Sequence, residues 1–277
     1  MCELFCVSSQ QPTTVPHSLT EFANRGGDTG NHSDGWGIAF FQDGDALLIR
    51  EPRPSARSAH LVFLRERLEP SALLISHIRR ATQGRVSLRN TQPFTRELGG
   101  RAHIFAHNGD LGNIREHVVF ASTHHRTIGD TDSEFAFCYL LKLLQPLWQA
   151  PTPPTFEQRL DVFGRFAKTM AGLGEANFLY SDGDYLFAHS HRRRQNDGCI
   201  RPPGLHLLHR NRHEQASPAE TAAASDPSAL LLASVPLSDE NWLPLPEFTV
   251  LAIAQGRICA RLDLREHATV EFDEAIS

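Results

Sequence analysis

The second residue of the chain is a cysteine, and its position suggests a specific chemistry. Initiator methionine is generally removed before a small second residue, and removal would leave Cys2 with both a thiol and a free α-amine. An α-amine titrates near ~8, so it can accept the thiol proton close to neutral pH. Cys2 could then supply both nucleophile and base. On position alone, an ordinary place in an early strand is the simpler interpretation.

Two polar motifs follow compact apolar runs of strand length. The first is HIRRATQG at 77–84, in which Arg79 could hold a carboxylate through a two-pronged hydrogen bond. The second is AHNGD at 106–110, in which the Asn108 side-chain amide and the Gly109 N–H could form an oxyanion hole. Each motif also has a simpler interpretation, a surface ion pair for the arginine and a tight turn for Asn-Gly.

A third motif, GDTDSE at 129–134, precedes an apolar pattern of helical period. Asp130 and Asp132 could cap that helix and complement its dipole. One of them could instead hold an ammonium group.

Together these motifs are far more specific than each is alone. A thiol, an oxyanion hole, a carboxylate clamp and an ammonium clamp are the four parts needed to hydrolyse the side-chain amide of glutamine. In that arrangement the arginine binds the α-carboxylate and an aspartate binds the α-amine. The thiolate attacks the γ-amide, ammonia leaves, and water cleaves the thioester.

The order of these motifs resembles the class II glutamine amidotransferases, which are members of the N-terminal-nucleophile hydrolases. Three further segments resemble the small, stand-alone YafJ-type branch in particular: RGG at 25–27, SDGWGIAF at 33–40 and TQPFTREL at 91–98. The resemblance is strong over residues 2–140 and weaker from 177–183 to the closing strands.

The resemblance implies an α+β fold, a four-layer αββα sandwich of two antiparallel sheets between helical layers. Carried over motif by motif, the site residues are Cys2 as nucleophile with its own α-amine as base, Asn108 and Gly109 as the oxyanion hole, and Arg79, Thr82 and Asp132 as the residues that bind glutamine. Asp130 is the second candidate for the α-amine. No metal or cofactor is implied.

Two positions depart from the family pattern. Arg80 stands where many members have Trp, and Gln92 stands where they usually have His. We expect these changes to alter the pocket rim and the substrate, and to leave the nucleophile and oxyanion groups intact. His107 is expected to orient the Asn108 turn rather than transfer protons, and Trp36 to pack in the core.

The elements that must position these residues can be read from periodicity and turn residues. Strands are predicted at 2–8, 36–41, 46–50, 72–77, 103–107, 176–181, 184–189, 229–235, 248–254 and 257–262. Helices are predicted at 60–69, 132–146 and 156–173, the second with Asp or Ser as N-cap. Hairpins that do not alternate strictly with helices favour stacked antiparallel sheets with helices outside.

Composition excludes several other classes of protein. The 277 residues carry a formal net charge of −5, which argues against a nucleic-acid partner. The basic run at 192–194 is expected to be a solvated loop. Neither an apolar run of ~20 residues nor a secretory signal is recognisable, so no membrane association is expected and the protein is placed in the cytoplasm.

The five cysteines are scattered, which favours neither a disulfide framework nor a zinc site. The histidines at 124–125, 189 and 191 have no Cys or carboxylate at ligand spacing, so metal binding is not expected there either.

Residues 1–277 are predicted to form a single amidotransferase domain with a flexible loop at 216–228. Its partner is expected to be glutamine or a γ-glutamyl small molecule. Either a separate subunit accepts the ammonia, or no ammonia is transferred. The alternative function is a non-catalytic glutamine-sensing or regulatory subunit of the same fold. The complete set of nucleophile, oxyanion hole and clamps argues against that alternative.

Overall fold

Two large antiparallel sheets form the centre of the computed structural model, which describes residues 1–67, 70–117, 125–210, 229–266 and 271–272. The loop predicted at 216–228 and His124 lie outside these ranges, so both predictions remain untested. The prediction of a single domain over 1–277 likewise stays a prediction.

The first sheet carries the amino-terminal strand near its middle. Its strands, in spatial order, are β13 (Leu243–Pro244), β11 (His206–Arg210), β12 (Ala229–Ala233), β1 (Glu3–Thr13), β4 (Ser71–Ile78), β2 (Trp36–Gln42) and β3 (Asp45–Glu51). The β2–β3 hairpin turns at Asp43 and Gly44, whose φ angles of 53° and 81° suit a two-residue turn that matches the twist of the strands.

The second sheet carries the strand that ends at Asn108. Its strands, in spatial order, are β16 (Glu271–Phe272), β15 (Arg257–Asp263), β14 (Thr249–Ala254), β8 (Leu186–Ser190), β7 (Asn177–Ser181), β6 (Arg101–Asn108) and β5 (Phe94–Leu98). A separate short hairpin consists of β9 (Arg193–Arg194) and β10 (Ile200–Arg201).

The helices are α1 (Pro16–Asn24), α2 (Ala59–Arg67), α3 (Ile114–His117), α4 (Asp132–Trp148) and α5 (Phe156–Ala171). Thr155 and Gln158 form a reciprocal capping box at the start of α5. Short 3₁₀ turns lie at Ser55–Arg57 and Leu88–Asn90. None of the helices in the described ranges has the length and apolarity to cross a membrane.

Because side chains alternate between the two faces of each strand, the hydrophobic core is divided into three clusters. Leu4 and Cys6 of β1 pack between the two sheets, whereas Phe5 and Val7 pack toward the cluster that contains α1 residues. The outer face of the second sheet packs against α4 and α5. The architecture is therefore helices, sheet, sheet, helices, and the predicted αββα sandwich is confirmed.

Most predicted elements agree with the structure to within two residues, and three points need correction. The N-cap of α4 is Thr131, whose hydroxyl accepts the N–H of Glu134, rather than Asp132 or Ser133. Strands β5 and β11, the two-residue strands β9, β10, β13 and β16, and helices α1 and α3 were not predicted. The run 192–194 is not simply a solvated loop, because Arg193 lies in β9 and is buried between two exposed arginines.

Candidate active site

Cys2 lies at the end of β1 that faces the polar motif after β4. Glu3 pairs with Ile78, so the same register places Cys2 across from Arg79. The Cys2 thiol is partly buried and donates a weak hydrogen bond to the carbonyl of Arg80, with an S···O distance of 3.5 Å. Burial raises the pKa of this thiol; the charge of Arg79 opposes the shift and that of Asp132 adds to it. A protonated thiol at neutral pH needs a base to become a nucleophile.

Arg79 is buried at the end of β4 and organises the loop that follows it. Its guanidinium donates to the carbonyls of Arg85 at 3.0 Å, Gln83 at 2.8 Å and Gly84 at 3.2 Å. An arginine has five N–H donors, so donors remain for a substrate carboxylate. Thr82 lies on the same loop and is exposed. Its assignment to substrate binding stays a prediction.

Asn108 ends β6 and is fully buried. Its side-chain amide nitrogen donates to the Ser234 hydroxyl at 3.0 Å, and that hydroxyl also accepts the N–H of Leu4 at 3.0 Å. The candidate oxyanion residue is thus tied to β1, the strand of the candidate nucleophile, two residues beyond Cys2. The amide nitrogen keeps a second N–H that could face an oxyanion.

Gly109 continues the turn in a place where no larger residue fits. A Cβ atom there would lie 1.6 Å from the carbonyl oxygen of Glu175, so a side chain would displace the backbone. The close approach fixes the peptide after Asn108, and with it the direction of the Gly109 N–H.

His107 anchors this turn from behind, as predicted. Its Nε2 donates to the carbonyl of Glu175 at 2.9 Å, and its Nδ1 faces the Ser133 hydroxyl at 2.9 Å. Burial lowers the pKa of His107, so the ring is neutral near pH 7. Both ring nitrogens are engaged, which suits a positioning role better than proton transfer.

Gln92 is not at the pocket rim, and that prediction is wrong. The residue is buried, and its side-chain amide bonds both backbone groups of His107. Its Oε1 accepts the His107 N–H at 2.6 Å, and its Nε2 donates to the His107 carbonyl at 3.3 Å. The Gln92 side chain therefore takes the place of a neighbouring strand's backbone in hydrogen bonding to β6 at His107. Arg80, the other departure, is exposed, and its place at the pocket rim stays a prediction.

Asp132 and Asp130 occupy different environments. Asp132 is buried, and its carboxylate accepts the N–H of Leu111 at 2.8 Å and the N–H of Ser133 at 2.8 Å. It lies close enough to Cys2 for its charge to raise the pKa of that thiol. Asp130 is half exposed and pairs with Arg89 at 2.9 Å. The geometry thus favours Asp132 over Asp130 as the candidate for the α-amine.

Sequence reasoning missed three residues that support this site. Ser234 joins Asn108 to β1, and Asn177 donates to the carbonyls of both Asn108 and Arg192 at 2.9 Å. Glu3, beside Cys2, is buried and receives two hydrogen bonds from Arg25, of 2.5 and 2.6 Å. Only the last pair left a signal, since Arg25 belongs to the quoted RGG segment.

A metal is not part of this arrangement as far as the described residues show. No group of three or more His, Cys, Asp or Glu side chains within those ranges could hold a metal ion.

The same fold occurs in a solved structure of distant sequence. The glutamine phosphoribosylpyrophosphate amidotransferase of Bacillus subtilis superimposes with a TM-score of 0.59 at 14% identity, over 95% of this chain and 49% of that one. At this identity the likeness establishes the fold alone. This chain therefore shares the fold of a glutamine amidotransferase domain.

Closer comparisons establish the family. The sequence profile of the class-II glutamine amidotransferases matches residues 1–275, and the chain belongs to that family. YafJ of Escherichia coli K12, provisionally named a glutamine amidotransferase, is 38% identical over 189 residues, which are 68% of this chain and 72% of YafJ. The predicted resemblance to the YafJ-type branch is therefore confirmed.

A crystal structure from Pseudomonas aeruginosa PA01 covers nearly the whole chain. That protein, assigned as a glutamine amidotransferase by prediction, is 30% identical, with a TM-score of 0.65 over 93% of this chain and 99% of that one.

Proposed function

We propose that the protein hydrolyses the γ-amide of glutamine, or the amide of a γ-glutamyl compound, through a thioester on Cys2. The observation that carries the proposal is a convergence of separate chain segments. Cys2 before β1, Arg79 after β4, the Asn108–Gly109 turn after β6 and Asp132 at the start of α4 approach one another at one end of the sandwich. Family membership supports the same substrate class.

In the proposed reaction, the α-amine of Cys2 takes the thiol proton and the sulfur attacks the amide carbon. The carbonyl oxygen becomes an oxyanion, stabilised by the second N–H of Asn108 and the N–H of Gly109. The amine returns the proton to the departing nitrogen as the C–N bond breaks. Water then attacks the thioester, which releases glutamate and restores the thiol.

This proposal requires that the active form begins at Cys2. While Met1 is attached, the nitrogen of Cys2 belongs to a peptide bond and cannot accept a proton. The buried thiol, with its raised pKa, would then lack a base. Full retention of Met1 in an active sample, measured by intact mass, would contradict the proposed base but not the family assignment.

The experiment is an assay for glutamate release from L-glutamine by protein whose processing has been checked by mass. We expect Cys2→Ala to lose at least ~1,000-fold in kcat/KM, because the covalent intermediate cannot form. Cys199→Ala is the matched control, since this thiol is exposed on the β9–β10 hairpin and should leave activity unchanged. Equal, near-zero release by all forms, from glutamine and from γ-glutamyl amides, would overturn the proposal.

A further inference from the structure

Arg193 is a buried cation with no hydrogen-bond or ion-pair partner among the residues that the structure describes. Only 5% of it is exposed, although Arg192 and Arg194 on either side are exposed. Its Nε is sealed from solvent without a hydrogen-bond acceptor, and its guanidinium makes no hydrogen bond or ion pair within the described residues. Buried guanidinium groups are normally paired, because desolvating an unpaired charge is costly. An anion bound to Arg193 would therefore compensate its buried charge.

The position of Arg193 relates it to the candidate active site. The Asn177 amide nitrogen donates to the carbonyls of Asn108 and Arg192, both at 2.9 Å. The peptide that leads into Arg193 is thus tied directly to the turn that carries the candidate oxyanion hole. Burial above all, and then the charges of Arg80 and Arg193, lower the pKa of the Met1 amine. Arg193 and Arg80 therefore both lie near the residue that precedes Cys2.

Within the described ranges, no nearby side chain pairs with the Arg193 guanidinium. Glu3 is the carboxylate close enough to act on its charge, but Arg25 already takes both carboxylate oxygens. His206 is also near, and burial lowers its pKa, so it is a neutral ring rather than an anion. The Nε atom of Arg193 is inaccessible to solvent and unbonded, whereas its two terminal nitrogens remain accessible. These two nitrogens therefore have N–H groups available for a ligand.

We infer that Arg193 binds a carboxylate on the amine half of the substrate, so that γ-glutamyl amino acids are better substrates than glutamine. This inference rests on the proposed function. The charged groups of the glutamyl half are already assigned to Arg79 and Asp132, whereas Arg193 follows a peptide that Asn177 joins to the Asn108 turn. A guanidinium there matches a carboxylate in both charge and geometry.

The reaction keeps the same balance of atoms as with glutamine. The sulfur of Cys2 forms a bond to the γ-carbonyl carbon, the C–N bond of the isopeptide breaks, and the thiol proton passes through the α-amine to the departing nitrogen. The leaving group is then an intact amino acid in place of ammonia, and water releases glutamate from the thioester.

The test compares γ-glutamylglycine with γ-glutamylglycinamide, which differ only in whether the terminal group carries a charge. We expect the processed wild-type protein to prefer γ-glutamylglycine in kcat/KM by on the order of 10- to 100-fold, the range of a charge-assisted hydrogen bond. Arg193→Met should bring the ratio close to one. Arg193→Lys should keep part of the preference. Arg194→Met is the control, since that side chain bonds the Gly198 carbonyl at the surface, and it should keep the wild-type ratio.

Equal kcat/KM for the two compounds in the wild type, or an unchanged ratio in Arg193→Met, would overturn the inference. If Arg193→Met does not fold, the wild-type ratio and Arg193→Lys still decide the question. Cys2-dependent release from glutamine without any preference would overturn this inference alone. No Cys2-dependent release from any of the three compounds would overturn the proposed function and this inference together.

Discussion

At the scale of single residues, the two acids before α4 illustrate how burial separates a candidate ligand from a surface charge. Asp132 is buried with two backbone N–H groups on its carboxylate, and Asp130 forms a half-exposed pair with Arg89. A carboxylate has about four acceptor positions, so Asp132 can accept further donors from an ammonium group.

We therefore expect Asp132→Asn to raise the KM for glutamine by roughly 10- to 100-fold, because a charge-assisted hydrogen bond to the substrate is lost. Asp130→Asn removes a carboxylate two residues away and should leave KM within about twofold, as expected for an exposed pair. Steady-state kinetics on both variants measures the difference. A larger rise in KM for Asp130→Asn would reverse the assignment.

The sequence was sufficient to place Cys2, Arg79 and Asn108 in contiguous motifs at strand ends, and their roles in the site stay predictions. Ser234 and Asn177 could not be predicted in this way, because their roles depend on contacts between strands far apart in the chain. Gln92 was misplaced for a related reason. A polar side chain before Pro-Phe suggests a pocket rim, and only the packing shows that it bonds the backbone of His107.

At the scale of elements, the first turn of α4 is held by a buried carboxylate. Glu134 accepts the N–H of Ile128 at 3.0 Å and that of Gly129 at 2.6 Å, and it also pairs with Arg96 of β5. This one side chain fixes the segment that leads into Asp132 and fastens the helix to the edge of the second sheet.

Glu134→Gln should lower the free energy of unfolding by ~3 kcal/mol, because the amide cannot accept from both backbone groups without turning its own N–H toward a donor, and Arg96 loses its counter-charge. Asp161→Asn, which removes the charge of an exposed partner of Arg165 on α5, should lower the free energy of unfolding by less than ~1 kcal/mol. Urea denaturation of both variants provides the measurement. Similar losses in the two would contradict a structural role for Glu134.

Long elements with a continuous apolar run or a helical period were largely predictable, and most short ones were not. The apolar run of β2 and the helical period of α5 indicated both elements to within a few residues. Strand β11 is short, follows Pro202-Pro203 and contains His209, which faces outward. It is a strand because it pairs with β12, and the sequence of β11 alone does not predict that pairing.

At the scale of the whole molecule, buried neutral histidines link stability to pH. Burial lowers the pKa of His77 and of His189 to about 3, and that of His103 to about 4. The unfolded chain binds protons at these rings near ~6.5, and the folded chain does so only at lower pH. The stability they contribute is therefore fully present above the unfolded pKa and is lost as the pH falls below it.

His189→Gln removes one of these rings and should reduce the pH dependence of stability. Between pH 4.5 and 5.5, we expect the slope of unfolding free energy against pH to be shallower than in the wild type by up to ~1.4 kcal/mol per pH unit, which corresponds to one proton. Above pH 7.5 the two slopes should coincide. Urea titrations across this range would contradict the linkage if the slopes were identical throughout.

The hydroxyl of Ser234 bonds both Leu4 and Asn108, and this has a consequence for how the protein is made. A ribosome synthesises β1 first, yet the neighbour on one side of it is β12, which emerges more than two hundred residues later. A growing chain can hold β1 against β4 but lacks the hydroxyl that aligns the Asn108 amide. If the proposed function holds, activity arises only late in translation, and an incomplete chain carries Cys2 without the rest of its site.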